Sequence, residues 1–247
     1  MVAATPSKDD LKAAINKVPE AYSKFIPIMT AEMAEVLPVH LVYDHAIDLK
    51  EGTTPPRGPI YPLNETELEE LRNWLKKMTD MGAVRQSKSA CSSPMLFIPK
   101  GHGRGLLLCI DYRGINKITV PNQYPLPNMD ELKERVRGVK WFNKIDLTNG
   151  YHLIRINEGN EWKTAFCCRY RPFEYTVMPF GLVNVPATFQ GMINNIFQDM
   201  INQEMSAFMD DINILSDTQL LLDDITHELL RSLRDNTGRL CIAPDKC

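Results

Sequence analysis

Phe208-Met209-Asp210-Asp211 sets two adjacent carboxylates between two short apolar runs, residues 205–209 and 212–215. Apolar run, two acids, apolar run reads as a β-hairpin with the acids at its tip. Carboxylates presented there can hold a divalent cation. The pair alone says little, because Asp9-Asp10 and Asp223-Asp224 also occur and read as solvated surface. A third acid gives it meaning. Trp141-Phe142-Asn143-Lys144-Ile145-Asp146-Leu147 reads as an apolar strand ending in Asp146, so three carboxylates would share one sheet edge. Mg²⁺ prefers a few carboxylates completed by waters and substrate phosphates. Two such ions, roughly 3.5–4 Å apart, stabilise both the attacking and the leaving oxygen of a phosphoryl transfer. One would activate a 3′-hydroxyl and the other would hold a triphosphate. The protein has then mainly to position the reactants.

The elements that must do the positioning follow from local signals. Asn64 is a candidate N-cap and Glu67 a capping-box partner for a helix from about residue 65 to 81, stopped by Gly82. Leu68, Leu71, Leu75 and Met78 recur at helical spacing and form its core face. Residues 94–99 read as a strand paired with 106–110 across a Gly-rich turn. A second helix is expected over 129–136, capped by Asn128 and ended by Gly138. Strands are expected near 141–146, 151–156 and 164–178. Pro186 suits the first turn of a long helix reaching about residue 202, the acidic hairpin follows, and a last helix covers about 219–234. Residues 1–55 are poorly patterned and read as a linker with one or two short helices. Strands and helices mix without a βαβ rhythm, which predicts α+β architecture with a mostly antiparallel sheet.

Composition narrows the class. The chain has 247 residues, 44% hydrophobic and 24% charged, the balance of a globular protein. No apolar run approaches the ~20 residues needed to cross a bilayer, which predicts no membrane partner, and residues 1–10 carry no apolar stretch of the secretory kind. The six cysteines show neither C-x-x-C pairs nor zinc spacing, so they read as reduced thiols of an intracellular protein. A net charge of −3 argues against a simple nucleic-acid binder, but its distribution does not. Residues 85–171 hold 15 Lys+Arg against 7 Asp+Glu, and the remainder is acidic. A basic middle suits a local polyanion site.

The motif order resembles that of reverse transcriptases. Asp146-Leu147-Thr148-Asn149-Gly150-Tyr151-His152, residues 178–190 from Met-Pro-Phe-Gly to Thr-Phe-Gln, and Phe208-Met209-Asp210-Asp211 come in the family's sequence. Asp111-Tyr112-Arg113-Gly114-Ile115-Asn116 and Tyr124-Pro125-Leu126-Pro127 match the fingers, and Glu161-Trp162-Lys163-Thr164-Ala165-Phe166 a strand beyond the first motif. The resemblance is strongest to the polymerase of gypsy-type LTR retroelements of the fungal kind, over residues 35–247. It implies right-hand polymerase fingers (56–140, with part of the palm) and a palm (141–247, with some fingers strands), ending before primer grip, thumb, connection and RNase H. It also implies RNA-directed DNA synthesis from dNTPs on a primed RNA or DNA template. Two Mg²⁺ ions, with Mn²⁺ as a substitute, would be the cofactors. The partners would include the protease, RNase H and integrase of a parent polyprotein, in cytoplasmic virus-like particles and the nucleus.

The resemblance also assigns residues. Asp146, Asp210 and Asp211 would be the metal carboxylates and the Leu147 carbonyl would complete one metal shell. Tyr151 would exclude a ribose 2′-hydroxyl, unless it is an ordinary core aromatic. Phe180 and Gly181 would border the incoming nucleotide, and Lys100 would reach its triphosphate. Met209 would lie against the primer end, Arg113 would brace the fingers against nucleic acid, and Gln190 would either touch template or cap local backbone. Departures stand beside these matches. Leu107 occupies a position where the family carries a phosphate-contacting Arg, with Arg104 a substitute from the turn. Cys167, Arg171 and Phe208 replace an Arg, a Gly and a Tyr, and Asn213 would put an amide into the hairpin core. They leave a second reading open: an inactive retroelement remnant or a domesticated nucleic-acid-binding module.

Overall fold

A computed structural model of the chain describes residues 13, 15–30, 36–99, 105–148, 150–201, 203–237 and 241–242. A 3-10 helix, Glu20–Met29, precedes helix α1 (Glu65–Asp80), strands β1 (Val84–Gln86), β2 (Ser93–Pro99) and β3 (Leu106–Ile110), and helices α2 (Arg113–Ile118) and α3 (Met129–Val136). Strand β4 (Trp141–Thr148) leads into 3-10 turns at Gly150–Leu153 and Glu161–Thr164. Then come β5 (Phe166–Cys167), β6 (Pro172–Tyr175), α4 (Val185–Ile196), β7 (Met205–Phe208), β8 (Asp211–Ser216), α5 (Gln219–Thr237) and β9 (Cys241–Ile242). The chain folds into two compact units that interleave along the sequence. One draws on residues 37–122 and 154–185, and the other on described residues up to 36, on 123–153 and on those from 186 onward.

The first unit is built on a five-stranded sheet in the order β1-β6-β5-β2-β3. All its pairings are antiparallel except β2 with β5. Helix α1 begins where the sequence predicts. The Asn64 side chain accepts from the Glu67 N–H, and the Glu67 carboxylate accepts from the Asn64 N–H, both at 2.9 Å. It ends at Gly82, whose φ of +74° suits a residue without Cβ. Leu71, Leu75 and Met78 join a core with Met95, Phe166, Phe173 and Tyr175. Residues of the expected linker belong here, since His45 bridges to Ile156 and Leu49 to Thr119.

The second unit carries an antiparallel four-stranded sheet in the order β7-β8-β4-β9. Helix α5 packs on β8 and β4 through buried Leu222, Ile225 and Leu229. Asn143 Nδ2 donates to Thr226 Oγ1 at 2.8 Å and ties that helix to β4.

Four expectations shift. The strand expected at 151–156 is instead the Gly150–Leu153 turn followed by isolated bridges at Arg155 and Ile156. Gly150 lets the backbone turn against Phe189, where a Cβ would come within 2.8 Å of the ring. The long strand expected at 164–178 is the hairpin β5–β6, closed by a bond from the Cys168 N–H to the Arg171 carbonyl. Helix α4 stops at Ile196, and amides at 200 and 201 bond back to the Phe197 carbonyl in a turn. Asn213 lies half-buried between the buried Ile212 and Ile214, so strand alternation turns its amide away from the core. Cys91, Cys109, Cys167 and Cys168 are free thiols, and burial pushes the Cys91 thiol up to about 11.

Candidate active site

The β4–β8 ladder ends with Asp146 directly opposite Asp211. One step further the Leu147 N–H donates to the Asp210 carbonyl at 3.1 Å. Main-chain bonds thus set all three acids at one end of the ladder. Asp146 is 7% exposed, while Asp210 and Asp211 are half-buried. The expected hairpin is present, with Met209 and Asp210 at its tip. Met209 has φ +54°, the left-handed region that a non-glycine residue enters only under local constraint.

Gln190 supplies that constraint. It is 0% exposed on α4. Its Oε1 accepts the Met209 N–H at 3.0 Å, and its Nε2 donates to the Ala207 carbonyl at 3.3 Å and to Asn194 Oδ1 at 2.8 Å. Tyr151 also meets the tip. Its hydroxyl donates to the Met209 sulfur at 3.2 Å, and its ring centroid lies 5.1 Å from that of Phe189. Burial, with the Asp210 carboxylate beside it, pushes the Tyr151 phenol up to about 12, so it stays a donor at any working pH. Lys144 Nζ lies 2.8 Å from Asp211 Oδ1, and this contact raises the pKa of the ammonium.

Of the remaining expected residues, Phe180, Gly181 and Arg113 belong to the first unit. The Gly181 backbone has φ +95°, and its carbonyl accepts from Asn116 Nδ2 at 2.7 Å. Asn116 Oδ1 in turn accepts from the Val183 N–H at 3.0 Å, so one amide clamps the turn. Phe180, beside it, is 40% exposed. Arg113 is exposed and grips the Asp111 carboxylate with Nε at 2.9 Å and Nη2 at 2.6 Å, holding that acid below the usual carboxylate range. Leu107 pairs with Ile98 in the β2–β3 ladder. Lys100 and Arg104 lie outside the described residues.

Three contributors were not anticipated as such. Lys144 had a readable signal, since a residue two before Asp146 in a strand shares its face. The grip of Gln190 on Met209 and the clamp by Asn116 depend on pairings remote in sequence, which no local pattern signals. Among the described residues no three His, Cys, Asp or Glu side chains are already gathered as a metal-binding group. The donor set is nonetheless of the hard-oxygen kind that Mg²⁺ completes with substrate phosphates and water. No helix among the described residues is long and apolar enough to cross a membrane.

Comparison with known proteins bears on the family and the fold. The family model for reverse transcriptase (RNA-dependent DNA polymerase) matches residues 93–247. The Retrovirus-related Pol polyprotein from transposon 297 of Drosophila melanogaster is 40% identical over 160 residues, which are 63% of this chain and 15% of that protein. The Transposon Tf2-3 polyprotein of Schizosaccharomyces pombe is 33% identical over 234 residues, 94% of this chain and 17% of that one. The chain therefore spans about a sixth of these relatives. Among solved structures, the foamy viral protease-reverse transcriptase with an RNA/DNA hybrid superposes with a TM-score of 0.81 at 19% identity. That match covers 100% of this chain and 34% of the viral one. The same viral protein with dsDNA gives 0.78 at 21% identity, over 100% of this chain and 52% of that one. The likeness at such identity is one of fold, an α+β arrangement shared with a retroviral polymerase. With its motifs in order and most of its length matched, the chain belongs to the reverse transcriptase (RNA-dependent DNA polymerase) family.

Proposed function

We propose that this chain forms the polymerising centre of an RNA-directed DNA polymerase, adding dNTPs to a primer 3′-hydroxyl by phosphoryl transfer. The observation that carries this reading is the end of the β4–β8 ladder, where Asp146 faces Asp211 and Leu147 bonds to Asp210. Asp146 and Asp210 are the acids we assign to two Mg²⁺ ions, with the Leu147 carbonyl and Asp211 completing the shells and Mn²⁺ an alternative. Bound there, the ions would ease deprotonation of the 3′-hydroxyl and neutralise the charge of the triphosphate. The chain's own part is to hold its donors still, which a main-chain ladder does better than a loop.

Tyr151 takes the role of excluding a 2′-hydroxyl. Packed on Phe189 and bonded to Met209, it is held as a steric barrier must be. Phe180 and Gly181 border the nucleotide, Lys100 pairs its phosphates, and Met209 meets the primer end. Gln190 is better read as holding the hairpin than as touching template, because it is buried and its amide is bonded three ways. Arg113 braces Asp111 before any nucleic acid. The foamy viral complexes with RNA/DNA hybrid and dsDNA support nucleic acid as the partner, and the polyprotein relatives support a parent polyprotein, to which we assign companion protease, RNase H and integrase domains from the family resemblance alone.

The test is primer extension on an RNA template with dNTPs and Mg²⁺, beside Asp210→Asn. Extension that disappears in the variant supports the reading. A second reading, a nucleic-acid-binding remnant, is favoured by the Lys144–Asp211 ion pair, which occupies one of the three acids. It predicts no extension by either folded protein, with binding that ignores both Mg²⁺ and Asp210→Asn.

A further inference from the structure

We propose that Gln190 is a positioning residue for sugar selection: acting through Met209, it fixes the Tyr151 ring and so sets how strongly a ribonucleotide is rejected. The proposal rests on the steric role of Tyr151 given above.

Gln190 grips the hairpin at two main-chain points, one in β7 and one at the first residue of its turn. Its oxygen holds the Met209 N–H, and its nitrogen holds the Ala207 carbonyl. The amide is itself fixed by Asn194, whose Nδ2 donates to the Tyr124 hydroxyl at 2.8 Å. All of Gln190 is buried, so its dipoles have no water to exchange with. Met209 is the one described non-glycine residue with positive φ. Such a conformation persists only where its surroundings over-determine it, and the Gln190 oxygen on its N–H does so. In that conformation the Met209 sulfur receives the Tyr151 hydroxyl. A second constraint on the ring is Phe189, the residue that precedes Gln190 on the same helix. One turn of α4 therefore clamps the phenol twice, once directly and once through the hairpin. A barrier discriminates between two substrates by the difference in their affinities, and that difference shrinks when the barrier can move aside.

The experiment compares kcat/KM for a dNTP and the matching rNTP on one RNA-templated primer. Gln190→Met fills the space without offering a hydrogen bond, and the dNTP/rNTP ratio is expected to fall about three- to tenfold, the size of one lost hydrogen bond. Tyr151→Phe removes only the hydroxyl and is expected to fall as far. Adding Gln190→Met to Tyr151→Phe should then change the ratio by less than about twofold, because both act on one contact. Met209→Leu, which keeps bulk but loses the sulfur acceptor, gives the same fall and serves if Gln190→Met does not fold. Equal losses for dNTP and rNTP in Gln190→Met, or an unchanged ratio in Met209→Leu, would overturn the proposal. Tyr151→Ala separates the two levels of the argument. A collapsed ratio there with an unchanged ratio in Gln190→Met sinks the coupling and leaves the barrier standing, whereas an unchanged ratio in Tyr151→Ala removes the barrier itself.

Discussion

Lys144 Nζ sits 2.8 Å from Asp211 Oδ1, so an ammonium and a divalent cation would compete for the same carboxylate. The raised pKa of Lys144 keeps that competitor charged throughout the working pH range. Removing it should let metal bind more easily. An ion pair between side chains this exposed is worth about 0.2–1 kcal/mol. Lys144→Met is therefore expected to lower the Mg²⁺ concentration for half-maximal primer extension about two- to fivefold, an effect that fades as salt is raised. A higher Mg²⁺ requirement would show that Lys144 serves the nucleotide phosphates instead.

Asp146→Asn separates chemistry from folding. The strand ladder around Asp146 is held by main-chain bonds, which the substitution leaves intact. The lost group is one of the acids assigned to metal. Single-turnover extension is expected to fall at least about a hundredfold, the scale seen when one charge-stabilising group leaves an active site. The Tm should change little beside the rate, because Asn keeps the shape of Asp and the ladder bonds are main-chain. A large drop in Tm with rate retained would make Asp146 a structural acid.

Stability should depend on pH through His45. It is 1% exposed, and burial pushes its imidazole down to about 4. In the unfolded chain the ordinary value is about 6.5. Between these values the unfolded state binds the proton and the folded state does not, so stability is full above about 6.5 and falls as pH drops toward 4. At pH 5 the loss is roughly 2 kcal/mol. His152, also pushed down to about 4 by burial, adds a loss of the same sign. Urea unfolding at pH 7.5 and 5.0 reads the sum, and His45→Gln should remove about half of it. An unchanged pH dependence in that variant would place the titrating group elsewhere.

The parts of this fold that could be read from sequence are those set by near neighbours. The capping box at Asn64, the left-handed stop at Gly82 and the acidic hairpin are each fixed within about five residues. The short helix α2 has only six residues, too few for a helical period to show. Tyr151-His152-Leu153-Ile154 looks like a strand, yet Gly150 turns the chain there for a reason that lies 39 positions away, at Phe189. Gln190 is the clearest case in the site. Its residue type permits both a template contact and a backbone cap, and only the folded chain brings the Met209 N–H to its oxygen.

Gly150 carries the last prediction, since it joins packing to function. A Cβ built there lies 2.8 Å from Phe189 Cζ and 3.0 Å from Cε2, and 3.9 Å from the Asp210 Cβ. Phe189 is 0% exposed, so its ring has little room to retreat in a close-packed core. Overpacking of this kind costs about 1–3 kcal/mol. The same ring touches Tyr151, so Gly150→Ala should also raise KM for dNTP more than it lowers kcat. The mechanism can be isolated with Phe189→Leu, which deletes the two atoms that clash. In that background Gly150→Ala should cost at least about 1 kcal/mol less, a coupling expected only of residues in contact. Gly159→Ala is the control: its φ is +81° with nothing within 4 Å of the new Cβ, so it carries conformational strain without a clash. Its cost should be independent of Phe189. If Phe189→Leu relieved both alanine variants equally, the coupling would reflect a general loosening of the core and not the approach of Gly150 to that ring.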